Sequence, residues 1–448
     1  MTVKSKDARI GVIGLWHLGS VISAAWSRLG FNVTGFDYSE KVVRGLNQAT
    51  PPVFEPGLAT AIRESLDAKR LYYTTDIKDM HVCDYVFLAF DTPVDRHDGS
   101  DCRPLFKAVE DVRAHLRDTA IVIVSSQTPI GTCSLLRQEL KIKNPLLELV
   151  YSPENLRLGD AINCYLNPGR IILGAAIKEA ADAATRLFEH IDASVIAMDL
   201  PSAEMVKHAI NAYLACSIVF ANHLSALCEA TGANIMDVSS GMKSDPRIGE
   251  KAYLAPGIGY SGGTLGRDLC VLARLNEETG QGAHLYRRLI EFNEGRRDEI
   301  IKKIAASLGN AVKGARIAVL GLTYKPGTST LRRSRPFEIA NELQRRGAVV
   351  RAFDPCVDYS ELEKPPGFAV CLSIDDAVQD AEAAVILTEW PEFREYDWAG
   401  ALSRMKGRVV FDAKNLLIKL NLEALGFDYR CLGVAKKKGE GVFYGSVK

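Results

Sequence analysis

The sequence predicts an α/β protein in which two Rossmann-like, doubly wound domains are joined by a central domain built on a long helix. Short β-branched runs alternate with longer amphipathic stretches over the first two hundred residues, which is typical of βαβ units and a parallel sheet. Residues 204–230 contain no Gly or Pro, and this predicts one continuous helix. The strand–helix alternation resumes at Ala315, which predicts a second α/β domain.

The first domain is predicted over residues 1–200. A helix is expected at Val21–Leu29, and strands are expected at Arg9–Gly14, Asn32–Asp37, Tyr85–Ala89, Ala120–Ser125, Leu149–Ser152 and Arg170–Gly174. Because strands that alternate with helices pair in parallel, these runs predict a single parallel sheet.

The central domain, residues 201–308, is predicted to contain the helix Glu204–Ala230 and a second helical block at 283–307. A long helix between two α/β regions suits a domain connector and an interface between subunits, so we expect a homodimer. The last domain, residues 309–448, is predicted to contain a helix at Pro336–Arg346 and strands at Ala315–Gly321, Ala348–Asp354, Ala383–Thr388 and Arg408–Asp412.

Composition excludes several classes of function. At 448 residues the chain is too long for one core. The 55 basic and 55 acidic residues cancel, which argues against a nucleic-acid or anionic-membrane partner. We find no apolar run of membrane-spanning length and no signal peptide, so a cytoplasmic protein is expected. The ten cysteines form no CxxC pair or zinc spacing, which predicts no metal site and reduced, mostly buried thiols.

The segment from Arg9 to Gly19 has the order strand, glycine turn, helix that binds dinucleotides. Gly14 and Gly19 match the first and third glycines of G-x-G-x-x-G, while Trp16 fills the second position and is followed by His17 and Leu18. Asp37 ends the next strand, where an acid accepts ribose hydroxyls and repels a 2′-phosphate. These residues predict an NAD site, although a Rossmann-like fold without a nucleotide is the alternative.

Beyond this turn, the chain resembles the UDP-glucose/GDP-mannose dehydrogenase family over nearly its full length. The order and spacing of the segments are more specific than any one motif, and they include Glu55-Pro-Gly-Leu58, Asp91-Thr-Pro93, Tyr151-Ser-Pro-Glu-Asn155, Glu204-Met-Val-Lys-His-Ala-Ile-Asn211, Gly259-Tyr-Ser-Gly-Gly-Thr-Leu-Gly-Arg-Asp268 and Gly321-Leu-Thr-Tyr-Lys-Pro-Gly-Thr328. The resemblance implies an N-terminal NAD domain, a dimer-forming helical domain and a C-terminal UDP- or GDP-sugar domain. It also implies oxidation of a sugar C6 alcohol to a carboxylate with two NAD.

The resemblance assigns roles to individual residues. Lys207 and Asn211, one helical turn apart, would sit at the oxidised carbon, with Glu154 as acid or base through water. Asp268 would activate water or bind the lysine. Without the resemblance, Lys207 is a solvated helix lysine and Glu154 a capping or surface acid.

The resemblance also implies the ligand sites. Thr92 and Gln127 would complete the cofactor site. The nucleotide sugar would contact Arg247, Tyr260, Lys325, Arg332 and Lys414, and Arg247 would reach it across the dimer interface. Arg332, Arg333 and Arg335 suit a diphosphate, with a solvated basic turn as the alternative, and Arg247 and Arg267 could instead form structural ion pairs.

Two departures from the family pattern concern the second oxidation. Thr264 stands where the family has the cysteine whose thiolate captures the C6 aldehyde, and a Thr hydroxyl is a poor substitute. Cys270 lies nearby, on a predicted helix, and we expect no substitution by it. Gln127 replaces a threonine that holds the catalytic water. We therefore expect one of two reactions, neither of which passes through a thioester. One is a single oxidation to an aldehyde or ring ketone, and the other is full oxidation through a hydrated aldehyde. The alternatives are a catalytically weakened nucleotide-sugar-binding protein and a redox-neutral, NAD-using sugar isomerase.

Overall fold

The computed structural model describes residues 7–90, 101–154, 156–282 and 284–435. Thr92 lies outside these ranges. The chain divides into two compact units between Ile210 and Asn211. Each unit contains one large sheet, and the predicted fold class is confirmed.

The first unit is an alternation of strands and helices that ends in the start of a long helix. Its strands are β1 (Arg9–Ile13), β2 (Asn32–Phe36), β3 (Leu71–Thr74), β4 (Tyr85–Leu88), β5 (Ile121–Val124), β6 (Glu148–Tyr151), β7 (Ile171–Ala175) and β8 (Val195–Met198). Its helices are α1 (His17–Arg28), α2 (Glu40–Asn47), α3 (Leu58–Asp67), α4 (Arg103–Val112), α5 (Thr132–Lys141), α6 (Ala161–Leu166), α7 (Lys178–Phe188) and the beginning of α8 (Leu200–Thr231).

The strands of this unit pair in the order β3-β2-β1-β4-β5-β6-β7-β8. The first six follow the order of a dinucleotide-binding sheet, whose ligand crevice lies where the order reverses, between β1 and β4. The prediction of a wholly parallel sheet is wrong at one pair, because β7 runs antiparallel to β6. Strand β8 then pairs in parallel with β7.

Strand β1 shows why this sheet carries helices on both faces. Ile10 and Val12 pack into one apolar cluster, and Ile13, one residue on, packs into the other. All three side chains are fully buried. Burying an aliphatic side chain of this size contributes about 1.5–3 kcal/mol, so an amphipathic helix is stabilised on either face.

The second unit begins within α8 and continues through a helical segment into the second sheet. Its helices are α9 (Ile235–Lys243), α10 (Leu265–Glu278), α11 (Leu285–Ser307), α12 (Arg335–Arg345), α13 (Ile374–Val378), α14 (Pro391–Glu395) and α15 (Trp398–Arg404). Its strands are β9 (Arg316–Leu320), β10 (Val349–Phe353), β11 (Ala369–Val370), β12 (Ala383–Ile386), β13 (Val409–Asp412) and β14 (Asp428–Cys431). They are parallel, in the order β11-β10-β9-β12-β13-β14.

Helix α8 is the one helix in the described ranges that is long and apolar enough to cross a membrane by those two criteria. The expectation that no such run exists is therefore wrong. Length and composition alone are weak evidence for a span, because a core helix of a soluble protein passes the same test. Glu204, Lys207 and Asn211 are all buried on this helix, which suits contacts inside a folded protein.

All ten cysteines are free thiols, as expected. The expectation that most are buried is wrong. Four are buried, five are partly exposed and Cys356 is exposed.

Candidate active site

The glycine turn after β1 retains the two glycines that its backbone requires. Gly14 has φ 89°, in the left-handed region that favours glycine. A Cβ on Gly19 would lie 1.8 Å from the carbonyl oxygen of Gly14, so a larger residue cannot fit there. Trp16 has φ −66°, which any residue adopts, and its side chain is 49% exposed. The tryptophan therefore leaves the turn intact and projects from it.

The N-terminus of α1 is suited to an anion. Trp16, at its cap position, forms no side-chain hydrogen bond to the helix, so no side chain blocks the first-turn amides. Leu18 and Gly19 are buried behind the turn. His17 is the first helical residue, and its Nε2 lies 2.9 Å from Glu55 Oε2. This geometry fits the diphosphate of a dinucleotide.

Asp37 follows β2 and is only partly buried. Its Oδ2 accepts a hydrogen bond from the amide of Leu15 (2.8 Å), and its Oδ1 accepts one from the amide of Ser39 (2.9 Å). These bonds fix the carboxylate beside the glycine turn, where it can also accept ribose hydroxyls. Next to it, burial and then the hydrogen bond to Asp111 raise the pKa of Tyr38.

The second unit has an equivalent glycine turn and acid, but there the acid is buried and fully hydrogen-bonded. Gly321 (φ 96°) and Asp354 stand after β9 and β10 as Gly14 and Asp37 stand after β1 and β2. Asp354 is buried, and its Oδ2 accepts hydrogen bonds from the Leu322 amide, both donors of Thr323 and the Trp390 indole. That oxygen already accepts four hydrogen bonds within the protein. Recognition of ribose hydroxyls by an acid at this position is therefore expected in the first unit, at Asp37.

Gln127 is buried in the turn after β5, which leads into α5. Glu204, which lies on α8, caps the N-terminus of α5, about seventy residues earlier in the chain. Its carboxylate accepts hydrogen bonds from the amides of Gly131 (2.6 Å) and Cys133 (2.8 Å) and from the Thr128 hydroxyl (3.2 Å). The first turn of α8 is thereby fixed to the segment that carries Gln127.

Lys207 is buried and pairs with the partly buried Glu154. The Lys207 side chain is 8% exposed, and its ammonium donates a hydrogen bond to the Glu154 carbonyl oxygen. The ammonium also lies 3.6 Å from Glu154 Oε1. Glu154 Oε2 accepts from the Leu156 amide, which fixes the carboxylate just after β6. Lys207 is therefore not the solvated helix lysine of the alternative interpretation, and Glu154 is a partly buried acid paired with it.

Asn211 and Asp268 form a second buried pair, within the second unit. Asp268 is fully buried in the first turn of α10, and its Oδ2 accepts a hydrogen bond from the amide nitrogen of Asn211. The amide of Asn211 is thus oriented with its nitrogen toward Asp268. Arg267 Nε lies 3.7 Å from the other carboxylate oxygen.

Thr264 is exposed at the N-terminal cap position of α10. It gives the helix no side-chain cap, although its carbonyl oxygen accepts from the Asp268 amide at 3.2 Å. Cys270 lies in the second turn of the same helix and is partly exposed. Five residues lie between the two, so the cysteine does not occupy the position of the threonine at the start of the helix.

Tyr260, just before Thr264, is held by a side chain on α11. Asn293 Oδ1 accepts from the Tyr260 amide at 2.8 Å, and Asn293 Nδ2 donates to the Tyr260 carbonyl at 3.1 Å. Arg296, one turn further along α11, donates to the Gly257 carbonyl at 3.0 Å. Both side chains are 1% exposed. Buried amide and guanidinium groups thus fix the loop at two points.

The predicted arginines have different environments. Arg247 is exposed and makes a two-point ion pair with Asp245, two residues away. Arg332 is exposed. Arg335 is buried and paired with Glu294 and Glu338, so an ion pair describes it better than a solvated basic turn.

The two predicted lysines of the nucleotide-sugar site are both partly buried. The ammonium of Lys325 lies 5.8 Å from the centre of the Tyr324 ring, a cation–π distance. Lys414 follows β13 and pairs with Glu389 at 2.8 Å. Both positions follow the carboxyl end of a strand of the second sheet, where α/β sheets bind ligands.

Four residues that organise these sites were missed by the sequence reasoning: Glu55, Glu204, Asn293 and Arg296. Glu55 and Glu204 lie inside segments that carried the family resemblance, and that was the available signal. For Asn293 and Arg296 the helical pattern gives no signal, because their partners lie more than thirty residues away.

Models of the UDP-glucose/GDP-mannose dehydrogenase family match three parts of the chain. The NAD binding domain matches residues 8–192, the central domain residues 201–295 and the UDP binding domain residues 318–419. Together they cover most of the sequence in the order that the resemblance implied.

Individual proteins show the same relation. The chain is 32% identical over 437 residues to the UDP-glucose 6-dehydrogenase TuaD of Bacillus subtilis, covering 96% of this chain and 94% of that protein. It is 31% identical over 434 residues to the UDP-glucose 6-dehydrogenase of Rhizobium meliloti, covering 95% and 99%. A solved UDP-glucose dehydrogenase from Pyrobaculum islandicum superposes with a TM-score of 0.85 at 27% identity, covering 97% and 100% of the two chains.

Proposed function

Because this chain belongs to the UDP-glucose/GDP-mannose dehydrogenase family, and is therefore an NAD-dependent nucleotide-sugar dehydrogenase, we propose that it removes one hydride from the C6 alcohol of a UDP-sugar and stops there. The observation that carries the proposal is the contact of the buried Lys207 ammonium with Glu154. This pair suits alcohol oxidation, and the position expected for the thiolate of a second oxidation is occupied by Thr264.

The cofactor site of the proposal is the glycine turn of the first unit. Gly14 and Gly19 shape the turn, the amides of residues 16–18 meet the diphosphate, and Asp37 accepts the ribose hydroxyls. Gln127 completes the described part of the site. NAD supplies the hydride acceptor, and Asp37 disfavours the 2′-phosphate of NADP.

Lys207 stabilises the alkoxide that develops as the hydroxyl proton leaves. A fixed cation in a water-poor site stabilises developing negative charge more strongly than the same cation in water. The contacts with the Glu154 carbonyl and carboxylate support this role, because they hold the ammonium in place before the reaction. Glu154 exchanges the proton through water.

Asn211 orients the substrate hydroxyl or a water molecule. Its amide nitrogen is committed to Asp268, so its carbonyl oxygen is the atom left to accept a hydrogen bond. On the nucleotide-sugar side, Tyr260, Lys325, Arg332 and Lys414 bind the UDP-sugar. Arg247, exposed on its own subunit, reaches the sugar of a neighbouring one.

The number of hydrides transferred tests this function. Oxidation of an alcohol to an aldehyde or ketone yields one NADH and one proton per sugar, whereas oxidation to a carboxylate consumes water and yields two NADH. We expect a ratio near one at completion, measured at the NADH absorbance band against consumed UDP-sugar. A ratio near two with a carboxylate product would contradict the single oxidation. Thr264→Cys should raise the ratio toward two, and Cys270→Ser should leave it unchanged.

The same assay separates the alternatives. A catalytically weakened binding protein produces no NADH, and a redox-neutral isomerase produces only a transient signal. The retained Lys207–Glu154 and Asn211–Asp268 pairs favour turnover over mere binding.

We also propose that the protein is a cytoplasmic homodimer whose subunits meet along α8. Tyr213, Phe220 and Leu227 are spaced by seven residues, so they lie along one face of the helix. Their side chains are exposed by 72%, 48% and 49%, respectively. An exposed apolar row of this kind suits burial against a second copy.

A further inference from the structure

Glu55 is a buried carboxylate that joins two distant segments of the first unit. Its side chain has no exposed surface. Its Oε2 accepts from His17 Nε2 (2.9 Å) and from the Gly159 amide (3.1 Å), and its Oε1 accepts from the Ala161 amide (2.9 Å). All three donors are more than thirty residues from Glu55 along the chain, so the carboxylate acts as a bridge in the tertiary structure.

The two segments have different functions in the proposed reaction. His17 is the first residue of α1, directly after the turn that meets the cofactor diphosphate. Gly159 and Ala161 lie in the segment that follows Glu154 and begins α6. Helix α6 receives no side-chain cap from Asp160, at its own cap position. Glu55 supplies that cap from a remote position, at the end of the helix where a negative charge is favourable.

A second contact joins the far parts of the same two helices. The Trp26 indole, near the end of α1, donates a hydrogen bond to the Tyr165 hydroxyl on α6 at 2.9 Å. The two rings pack edge to face with their centres 6.5 Å apart. Helices α1 and α6 are therefore joined at both ends. These two connections are the physical basis for a coupling between the start of α1 and α6.

We propose that Glu55 is a positioning residue that couples the cofactor turn to the segment 156–161, so that NAD bound at the turn orders the segment that follows the catalytic Glu154. This inference rests on the proposed placement of NAD at the glycine turn. The hydrogen bond from His17 is the link, and the two amide bonds hold the segment. NAD and the UDP-sugar then bind with positive cooperativity, since the first ligand has already ordered part of the second ligand's site.

Hydrogen exchange of the full-length protein, followed by mass spectrometry with and without saturating NAD, tests the coupling. In the wild type we expect NAD to slow exchange in two regions, the turn at 14–20 and the segment at 156–166, by about threefold or more. His17→Phe removes the donor but leaves both amide bonds of Glu55 in place, so α6 stays capped. In this variant we expect slowing at 14–20 alone. His17→Gln, which restores an N–H donor, should recover the slowing at 156–166.

Two further variants separate coupling from general destabilisation. Glu55→Gln should abolish the response at 156–166 and raise KM for the UDP-sugar about threefold to tenfold, with little change in NAD affinity. Glu64→Gln, on the exposed face of α3, makes the same chemical change in a surface ion pair with Arg28 and should match the wild type.

The outcomes that oppose the inference are distinct. Equal NAD-induced slowing at 156–166 in the wild type and in His17→Phe would overturn the coupling while leaving the cofactor site intact. No slowing at 14–20 in the wild type would overturn the proposed placement of NAD, and the coupling with it.

Discussion

Gly19 and Trp16 stand three residues apart in the same turn, yet the backbone requires glycine only at the first of these positions. A Cβ on Gly19 would meet the Gly14 carbonyl oxygen at 1.8 Å, whereas the φ of Trp16 is ordinary. We therefore expect Gly19→Ala to abolish measurable NAD binding and to destabilise the protein by about 2 kcal/mol or more. Trp16→Ala should change the stability by less than about 0.5 kcal/mol.

Calorimetric titration with NAD and urea unfolding measure the two effects. Trp16→Gly serves as the second control, because it restores the glycine of the common motif. If Trp16→Ala lost as much stability as Gly19→Ala, the tryptophan would be part of the turn's structure and not a projection from it.

Lys207 is the residue on which the proposed chemistry depends most. Lys207→Met keeps most of the side-chain volume and removes the charge next to Glu154. Loss of a fixed group that stabilises the developing alkoxide typically lowers the rate by about 10²–10³-fold. We expect kcat to fall by that factor while NAD affinity stays within about twofold of the wild type.

Steady-state kinetics with UDP-sugar and NAD measures this prediction. Lys178→Met is the matched control, since Lys178 is an exposed lysine paired with Asp182 on the surface of the same unit. A kcat within threefold of the wild type for Lys207→Met would remove the lysine from the mechanism.

At the level of secondary structure elements, Glu204 joins α8 to α5. An amide at this position would place an N–H₂ group against at least one of the backbone amides that now donate to the carboxylate. We expect Glu204→Gln to lower the free energy of unfolding by about 2–4 kcal/mol, measured in urea. Glu179→Gln is the control, because Glu179 is an exposed acid in the first turn of α7. There the change should be below about 1 kcal/mol. Equal effects would show that Glu204 contributes only its charge near a helix end.

Glu148 joins β6 to α5 and makes part of the stability dependent on pH. Burial tends to raise the pKa of Glu148, but hydrogen bonds from Arg137 and Lys141 outweigh it, and the pKa in the folded protein is lowered. The stabilisation is therefore complete above about pH 4.3, the unfolded value, and is lost as pH falls through the lower folded pKa.

We expect Glu148→Gln to lower Tm by about 2–6 °C at pH 7 and by much less at a pH below the lowered folded pKa, where the wild-type carboxylate is also protonated. Differential scanning calorimetry at the two pH values measures the difference. A Tm difference that persists unchanged at low pH would mean that side-chain shape, and not charge, makes the contact.

At the level of the whole molecule, local pattern predicted the two sheets but not every strand in them. β1, β2, β4 and β5 were found to within about a residue or two because they alternate with helical stretches and bury most of their side chains. β8 was missed although its four residues, Val195–Met198, are all apolar, and the folded strand leaves this short run partly exposed. The reversed direction of β7 could not be predicted, since direction depends on how the connection crosses the sheet and not on the residues of the strand.

The candidate site was predictable where the motif itself carries the chemistry. Lys207, Asn211 and Asp268 were identified from their segments, and the structure shows each of them buried. Glu55 was quoted as part of a segment without a role, because its function arises from partners 38, 104 and 106 residues away. Such contacts leave no periodicity in the sequence, and only the folded chain brings them together.

The oligomeric state is the remaining property of the whole molecule. Tyr213, Phe220 and Leu227 expose an apolar row on α8, and water contact of such a row is unfavourable by about 25 cal/mol per Å² of apolar surface. We expect light scattering after size exclusion to give twice the chain mass for the wild type. A negative charge in the middle of the row, Phe220→Glu, should shift the protein toward monomer, because an unpaired buried charge at an interface is strongly unfavourable. Leu372→Glu is the matched control, since Leu372 is 89% exposed in the second unit but lies outside the row, and it should remain dimeric. A monomeric wild type, or a dimer unaffected by Phe220→Glu, would move the subunit interface away from this face of α8.

Because Arg247 is proposed to act on the sugar of a neighbouring subunit, a monomeric Phe220→Glu variant should also bind the UDP-sugar less tightly than the Leu372→Glu control.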